Sequence, residues 1–244
     1  MANEFLSLFK EKKPIIAVLH GVKGTDEEVM AKTVRELDIF ERCGIDGVLV
    51  ENYFCTPEQA EMVLAYVEKN HGSMAFGINL LDDDPLNFEL ARKYNCDFMQ
   101  VDSVCGHLTV EDDIPFEKFI KEEIARTKAK LIGGVRFKYQ PYLSGRPLDV
   151  DLALGIERCH AMAVTGEGTG MATATEKVEE FRKIIGDFPL VVAAGVTLDN
   201  IDEQLAIGDA IIVGSYLKEG GDVKNPVSEE NTMRFMDAVR RIRG

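Results

Sequence analysis

The stretch VVAAGVTLDN, residues 191–200, runs four apolar residues into a glycine and then into a helix start. Val191 to Ala194 have the length and character of a buried strand. Thr197 carries the hydroxyl of a helix N-cap, and Asp199 and Asn200 suit a first turn. A strand feeding a helix through a glycine is a βα unit. Its glycine implies a backbone that something approaches closely. A strand that stops there and opens a helix aims unpaired N–H groups at one spot, which suits an anion, phosphate above all.

The same unit recurs on both sides. Apolar, β-branched runs start at 14 (PIIAVLH), 47 (GVLVEN), 74 (MAFGINLL), 98 (FMQVDSV), 130 (KLIGGVRFKY), 161 (AMAVTG), 189 (PLVVAAGV) and 209 (DAIIVGS). They are continuous rather than alternating, the mark of parallel strands covered by helices. Helix starts lie between them. TDEE at 25–28 and TPEQ at 56–59 read as capping boxes, with Pro57 at the first helical position. Asp84 before Pro85 repeats the sign, and further helical patterns cover about 115–129, 147–158, 175–186, 198–207 and 228–243, the last capped by Ser228. Eight alternations with no linker or low-complexity tract predict one (β/α)8 TIM barrel, a single domain over residues 1–244. A doubly wound open sheet is the alternative; the count of eight and the lack of an early GxGxxG favour the barrel.

Composition narrows the function. The chain has 244 residues, 45% hydrophobic and 29% charged, enough for a large core. A net charge of -14 argues against nucleic acid or an anionic membrane as partner. The five cysteines are scattered without a CxxC, which reads as a reduced cytoplasmic protein without structural zinc. MANEFLSLFKEKKP is too charged for a signal peptide, and no later run approaches a membrane span, so no membrane insertion is expected.

In a (β/α)8 barrel all strand C-termini face one rim, where sites are built. Here that rim carries His20, Glu51 with Asn52, Asn79, Asp102, Arg136 with Lys138, Thr165 with Gly166 and Glu167, Gly195, and Gly214 with Ser215. Strands seven and eight end in AAGVT and IIVGS, and the loops after these strands are the recurrent phosphate site of barrels. Gly195, Gly214 and Ser215 therefore read as a phosphate cradle. The loop TGEGTGMATATE, 165–176, adds Gly166 and Gly168 as further amide donors or as a mobile lid, a flexible connector being the bland alternative. It matches neither a P-loop nor a dinucleotide fingerprint, so no organic cofactor is expected.

These motifs resemble the BtpA family of (β/α)8 proteins, associated with membrane-complex biogenesis and photosystem I accumulation and including a sugar-operon branch called SgcQ. The resemblance rests on KPIIAVLH, DGVLVEN, FGINLL, VTGEGTG, GVTLDN and above all IIVGSYLKEGGDVKNPV at 211–227. It implies that Lys218, Gly221 and Asn225 join the site near the strand-eight loop. The chain departs from the family in GVKGTDEEV after strand one, in MQVDSV with Gln100 and Asp102 at strand four, and in VRFKYQ at strand five. The substrate-facing half of the rim thus differs while the phosphate-facing half is kept.

Glu51 is the first candidate for proton transfer and Asp102 the second, since two carboxylates in different surroundings divide acid and base roles. Lys138 suits a Schiff base or an enolate counter-charge and Arg136 an anion clamp; His20, the only one of four histidines at a strand C-terminus, is a further catalytic candidate. Strand alternation places Arg136 and Lys138 on one face. Asn52, Asn79 and Glu167 complete the expected substrate contacts. Asp82 or Asp83 of LDDDP could hold Mg²⁺, with Asp84 read as the N-cap; no other metal site is visible. The expectation is an isomerase, epimerase or lyase acting on a sugar phosphate or nucleotide-derived phosphate, with a homo-oligomer left open. Its rivals are a non-catalytic assembly or stability factor, which the family resemblance implies, and a phosphate-ligand sensor.

Overall fold

The computed structural model describes residues 4–244; residues 1–3, the first part of the stretch weighed above as a leader, lie outside it. Eight parallel strands close into a barrel in sequence order. They are β1 (Ile15–His20), β2 (Gly47–Glu51), β3 (Ala75–Asn79), β4 (Phe98–Cys105), β5 (Lys130–Val135), β6 (Ala161–Val164), β7 (Leu190–Val192) and β8 (Ala210–Val213). The helices between and after them are α1 (Asp26–Cys43), α2 (Pro57–Asn70), α3 (Asp84–Lys93), α4 (Val110–Arg126), α5 (Leu148–Ile156), α6 (Thr175–Ile185), α7 (Ile201–Ile207) and α8 (Glu229–Arg243). The chain is a (β/α)8 barrel. Among the described residues no helix is long and apolar enough to cross a membrane.

Strand alternation sorts the core into two clusters. Ile15, Ala17 and Leu19, Val48 and Val50, Met99 and Val101, and Ile211 and Val213 face the helix layer. Ile16 and Val18, Leu49, Ala75, Phe98, Ile132, Ala161 and Ala163, Val191 and Ala193, and Ala210 and Ile212 fill the barrel interior. Phe5 and Phe9, from the segment before β1, join the interior cluster from below, Phe5 edge to face with both Phe9 and Phe98 and Phe9 tilted against Phe98. The barrel is therefore closed at its floor, and only the upper rim is left for a site.

Both capping boxes form, on Thr25 with Glu28 and on Thr56 with Gln59, and Ser228 caps α8. Three helix starts differ from the expectation. The side chain capping α3 is that of Asp83, which accepts from the Leu86 amide, while Asp84 is the first helical residue. α4 begins at Val110 under a Thr109 cap and carries Pro115 inside it, so that proline does not mark the start. α7 begins at Ile201, because Thr197 and Asn200 first close a turn on each other: the Thr197 amide donates to Asn200 Oδ1 and the Ile201 amide to the Thr197 carbonyl.

Candidate active site

The register of the first four strands builds one polar layer. His20 pairs with Glu51 across β1 and β2, Glu51 with Asn79 across β2 and β3, and Gln100 follows two steps beyond the Gly77–Phe98 pair of β3 and β4. On the opposite side the interior positions are small, with Ala193 and Gly214 near the ends of β7 and β8. Gly214 is small for a reason: a Cβ there would lie 2.5 Å from Cε1 of His20. A cavity of about 30 Å³ remains between the halves, lined by His20, Glu51 and Gln100 on one side and by Lys138, Thr169, Gly170, Gly195, Gly214 and Ser215 on the other.

Electrostatics in this layer are set by burial. Desolvation pushes the Glu51 carboxyl up to about 7, and nearby Asp102 adds to the rise, against the opposing pull of Lys138 and of the Asn79 hydrogen bond. Asn79 bridges both acids, its Nδ2 donating to Glu51 Oε1 at 3.2 Å and to Asp102 Oδ1 at 3.0 Å. Gln100 Nε2 donates to the same Asp102 oxygen at 2.8 Å. Burial also raises Asp102, although these two donors oppose the shift. His20 lies 3.8 Å from Glu51 Oε2 and is held well below its ordinary pKa by burial, reinforced by Lys218, Lys32 and Lys138. It is a neutral imidazole.

Asp102 opens onto a second space. A cleft of about 410 Å³ beside the rim is lined by Asn79, Asp82, Asp83, Asp84, Asp102, Ser103 and His107, with Phe116 and Phe119 behind. Asn79 is thus the partition between the two carboxylates. Burial and the neighbouring acids Asp102, Asp83 and Asp82 push Asp84 up to about 6. Among the described residues no group of three or more His, Cys, Asp or Glu side chains is arranged to hold a metal ion.

The loop after β6 covers the mouth. Thr169 is gripped three ways: Oγ1 lies 3.2 Å from the Tyr53 hydroxyl and 3.3 Å from Lys138 Nζ, and its amide donates to the Tyr139 hydroxyl at 2.9 Å. Gly195, at φ +62°, answers the question its sequence raises. A Cβ there would meet the Met171 carbonyl at 2.2 Å, so the close approach is made by the chain's own loop. Gly166 lies against the carbonyls of Met171 and Ala172 in the same way, and Gly168 against the Tyr139 hydroxyl. Among the described residues the amides of Gly195 and Gly214 nonetheless donate to no backbone carbonyl.

Several expected site residues stand elsewhere. Arg136 adopts φ +48°, which breaks strand alternation directly after β5 and parts it from Lys138. It donates to Asp151 Oδ2 and to the Arg146 carbonyl and stacks on Tyr142, within an ionic network that continues through Arg146 to Asp113 and Arg158. Lys138 enters the cavity, its amide donating to Thr165 Oγ1 at 2.8 Å. Lys218 is fully buried and spends its ammonium on both oxygens of Glu36 at 2.9 Å. Asn225 donates to the Glu219 carbonyl, Asn52 Oδ1 accepts from the Leu81 amide, and Glu167 is exposed. Sequence reasoning did not single out Thr169, Gly170, Tyr53 or Tyr139, and it noted Gln100 without assigning it a role. Gln100 alone had a signal: it shares an interior face with Phe98 in a buried strand.

The BtpA family matches residues 11–241 of the chain. An uncharacterized protein of Pyrococcus abyssi is 27% identical over 95% of this chain and 98% of its own length. The photosystem I biogenesis protein BtpA of Synechocystis is 21% identical, covering 97% and 91%. Among solved structures, a Schiff-base-forming fructose-1,6-bisphosphate aldolase superposes with a TM-score of 0.61 at 15% identity, covering 99% of this chain and 98% of that one. At that identity the likeness is one of fold.

Proposed function

The chain belongs to the BtpA family, and from that premise we propose that it is an enzyme which holds a phosphorylated small metabolite at the barrel mouth and moves a proton on it with Glu51. One observation carries the reading: a single cavity is lined by Lys138, Ser215, Gly195 and Gly214 on one side and by a buried acid poised near neutrality on the other. The Lys138 ammonium, the Ser215 hydroxyl and the Gly195 and Gly214 amides would together seat an anion. Glu51 in its ionised form would take a proton from carbon beside a carbonyl, and Lys138 would offset the resulting enolate charge. Return of the proton gives an isomerase or epimerase; release of a leaving group from the enolate gives a lyase. The aldolase of similar fold acts, by its name, on a sugar bisphosphate, which is consistent with this class. All five cysteines are free, as suits a protein working in the reducing cytoplasm.

A cavity of about 30 Å³ admits little more than water, so binding requires the Thr169 segment to swing aside. The three alternate glycines of the loop provide that freedom. The test is thermal melting against sugar phosphates, nucleotides, inorganic phosphate and divalent cations, with Lys138→Met and Glu51→Gln beside the parent. One phosphorylated compound should raise the parent melting point by several degrees at saturating concentration. Lys138→Met should lose that response. Glu51→Gln should keep it and lose carbon-bound deuterium uptake from D₂O. If no phosphorylated compound shifts the parent, the assembly-factor reading suggested by the name of the Synechocystis relative takes its place.

A further inference from the structure

Among the described residues, the polar layer holds two acceptor-capable atoms that no other group satisfies. Gln100 is 3% exposed and its Oε1 has no hydrogen-bond partner; His20 is 6% exposed and its Nδ1 has none either. A buried polar group left unpaired costs about 1–3 kcal/mol, so an interior that keeps one in a cavity wall is incomplete without a ligand. For Gln100 the missing partner is defined. Its Nε2 is committed to Asp102 Oδ1 at 2.8 Å, and turning the amide over would set its oxygen against a buried carboxylate. Oε1 is therefore an acceptor waiting for a donor.

The rest of the cavity limits what brings that donor. Val18, Phe137, Ala193 and Ile212 supply its apolar lining, while His20, Glu51 and Gln100 supply polar groups. Once the Thr169 segment has moved aside, a slender chain carrying both C–H and O–H groups matches this mixed lining. Gln100 also lies one pleat deeper along β4 than Asp102, so the donor must reach down the barrel axis from the phosphate end.

We propose that Gln100 determines specificity in this site, its Oε1 accepting from a hydroxyl of a phosphorylated polyol or open-chain sugar. The assignment rests on the phosphorylated-metabolite reading above. It excludes from the natural substrate class those phosphate esters whose carbon chain has no hydroxyl.

The experiment compares linear polyol phosphates of three to six carbons with alkyl phosphates of the same lengths, by calorimetric titration of the parent, Gln100→Met and Gln100→Asn. In the parent the best polyol phosphate should bind about tenfold or more tightly than its alkyl match, the worth of one satisfied buried acceptor. Gln100→Met should bring that ratio close to one while inorganic phosphate binds within about twofold of the parent. Gln100→Asn, whose shorter amide withdraws the oxygen, should fall between, and it serves if the Met variant does not fold. An unchanged ratio in a folded variant overturns the assignment. If no phosphorylated probe binds, the phosphate reading falls, and free polyols decide this one: their affinity, followed by NMR, must drop in Gln100→Met or the assignment falls too.

Discussion

Glu51 shows what burial does to one carboxyl. Its folded pKa of about 7 stands above the ordinary 4.5, so the fold prefers its protonated form. That preference is fully present below about pH 4.5 and is lost as pH rises through 7, a change on the order of 3 kcal/mol. Glu51→Gln, which keeps an acceptor for Asn79, should therefore melt close to the parent at pH 5 and roughly 6–12 °C above it at pH 8. Equal melting points at pH 8 would mean that Glu51 ionises without strain. The proton transfer itself runs in the opposite sense: its rate should rise with pH through an apparent pKa near 7, because the base is the ionised form.

At the scale of elements, Lys218 belongs to the joint between α1 and the segment after β8. Its ammonium and the Val227 amide both donate to Glu36, which also accepts from Lys32; Lys32 in turn reaches the His20 carbonyl. Burial holds Lys218 down at about 8 despite that partner. Removing one member of a buried pair strands the other, so Lys218→Met should lower unfolding stability by about 3–5 kcal/mol in urea. A loss below about 1 kcal/mol would show that water reaches Glu36 readily. The family resemblance pointed this lysine at the ligand. A motif does not report which way a side chain after β8 turns, and a buried glutamate 182 residues away is invisible to local reading.

The same contrast explains what was legible in the sequence. The eight strands follow from apolar runs, and alternation along them already placed His20, Glu51 and Asn79 at one rim. Arg136 was misread because a left-handed residue directly after Val135 resets the alternation, and nothing in VRFKY marks the reset. The three grips on Thr169, itself after β6, come from loops after two other strands, Tyr53 after β2 and Lys138 with Tyr139 after β5, so only closure of the barrel brings them together.

For the whole molecule, the floor and the mouth are separate undertakings. Phe9 packs on Phe5 and Phe98 at the end of the barrel opposite the candidate site. Phe9→Ala should cost about 3–5 kcal/mol in calorimetric unfolding and leave the melting shift given by a bound phosphate ester unchanged. Coupled loss of both would show that the interior transmits strain along its length.

The aromatic floor also bears on where a hydrogen can go. With Phe5, Phe9 and Phe98 packed below and Thr169 held across above, the space around Glu51 is covered at both ends, and on the proposed function the loop that admits the substrate also closes over it. On the proposed function, the hydrogen that Glu51 lifts is replaced by a solvent deuteron whenever that loop opens before the hydrogen returns, so the deuterium found on carbon counts those openings.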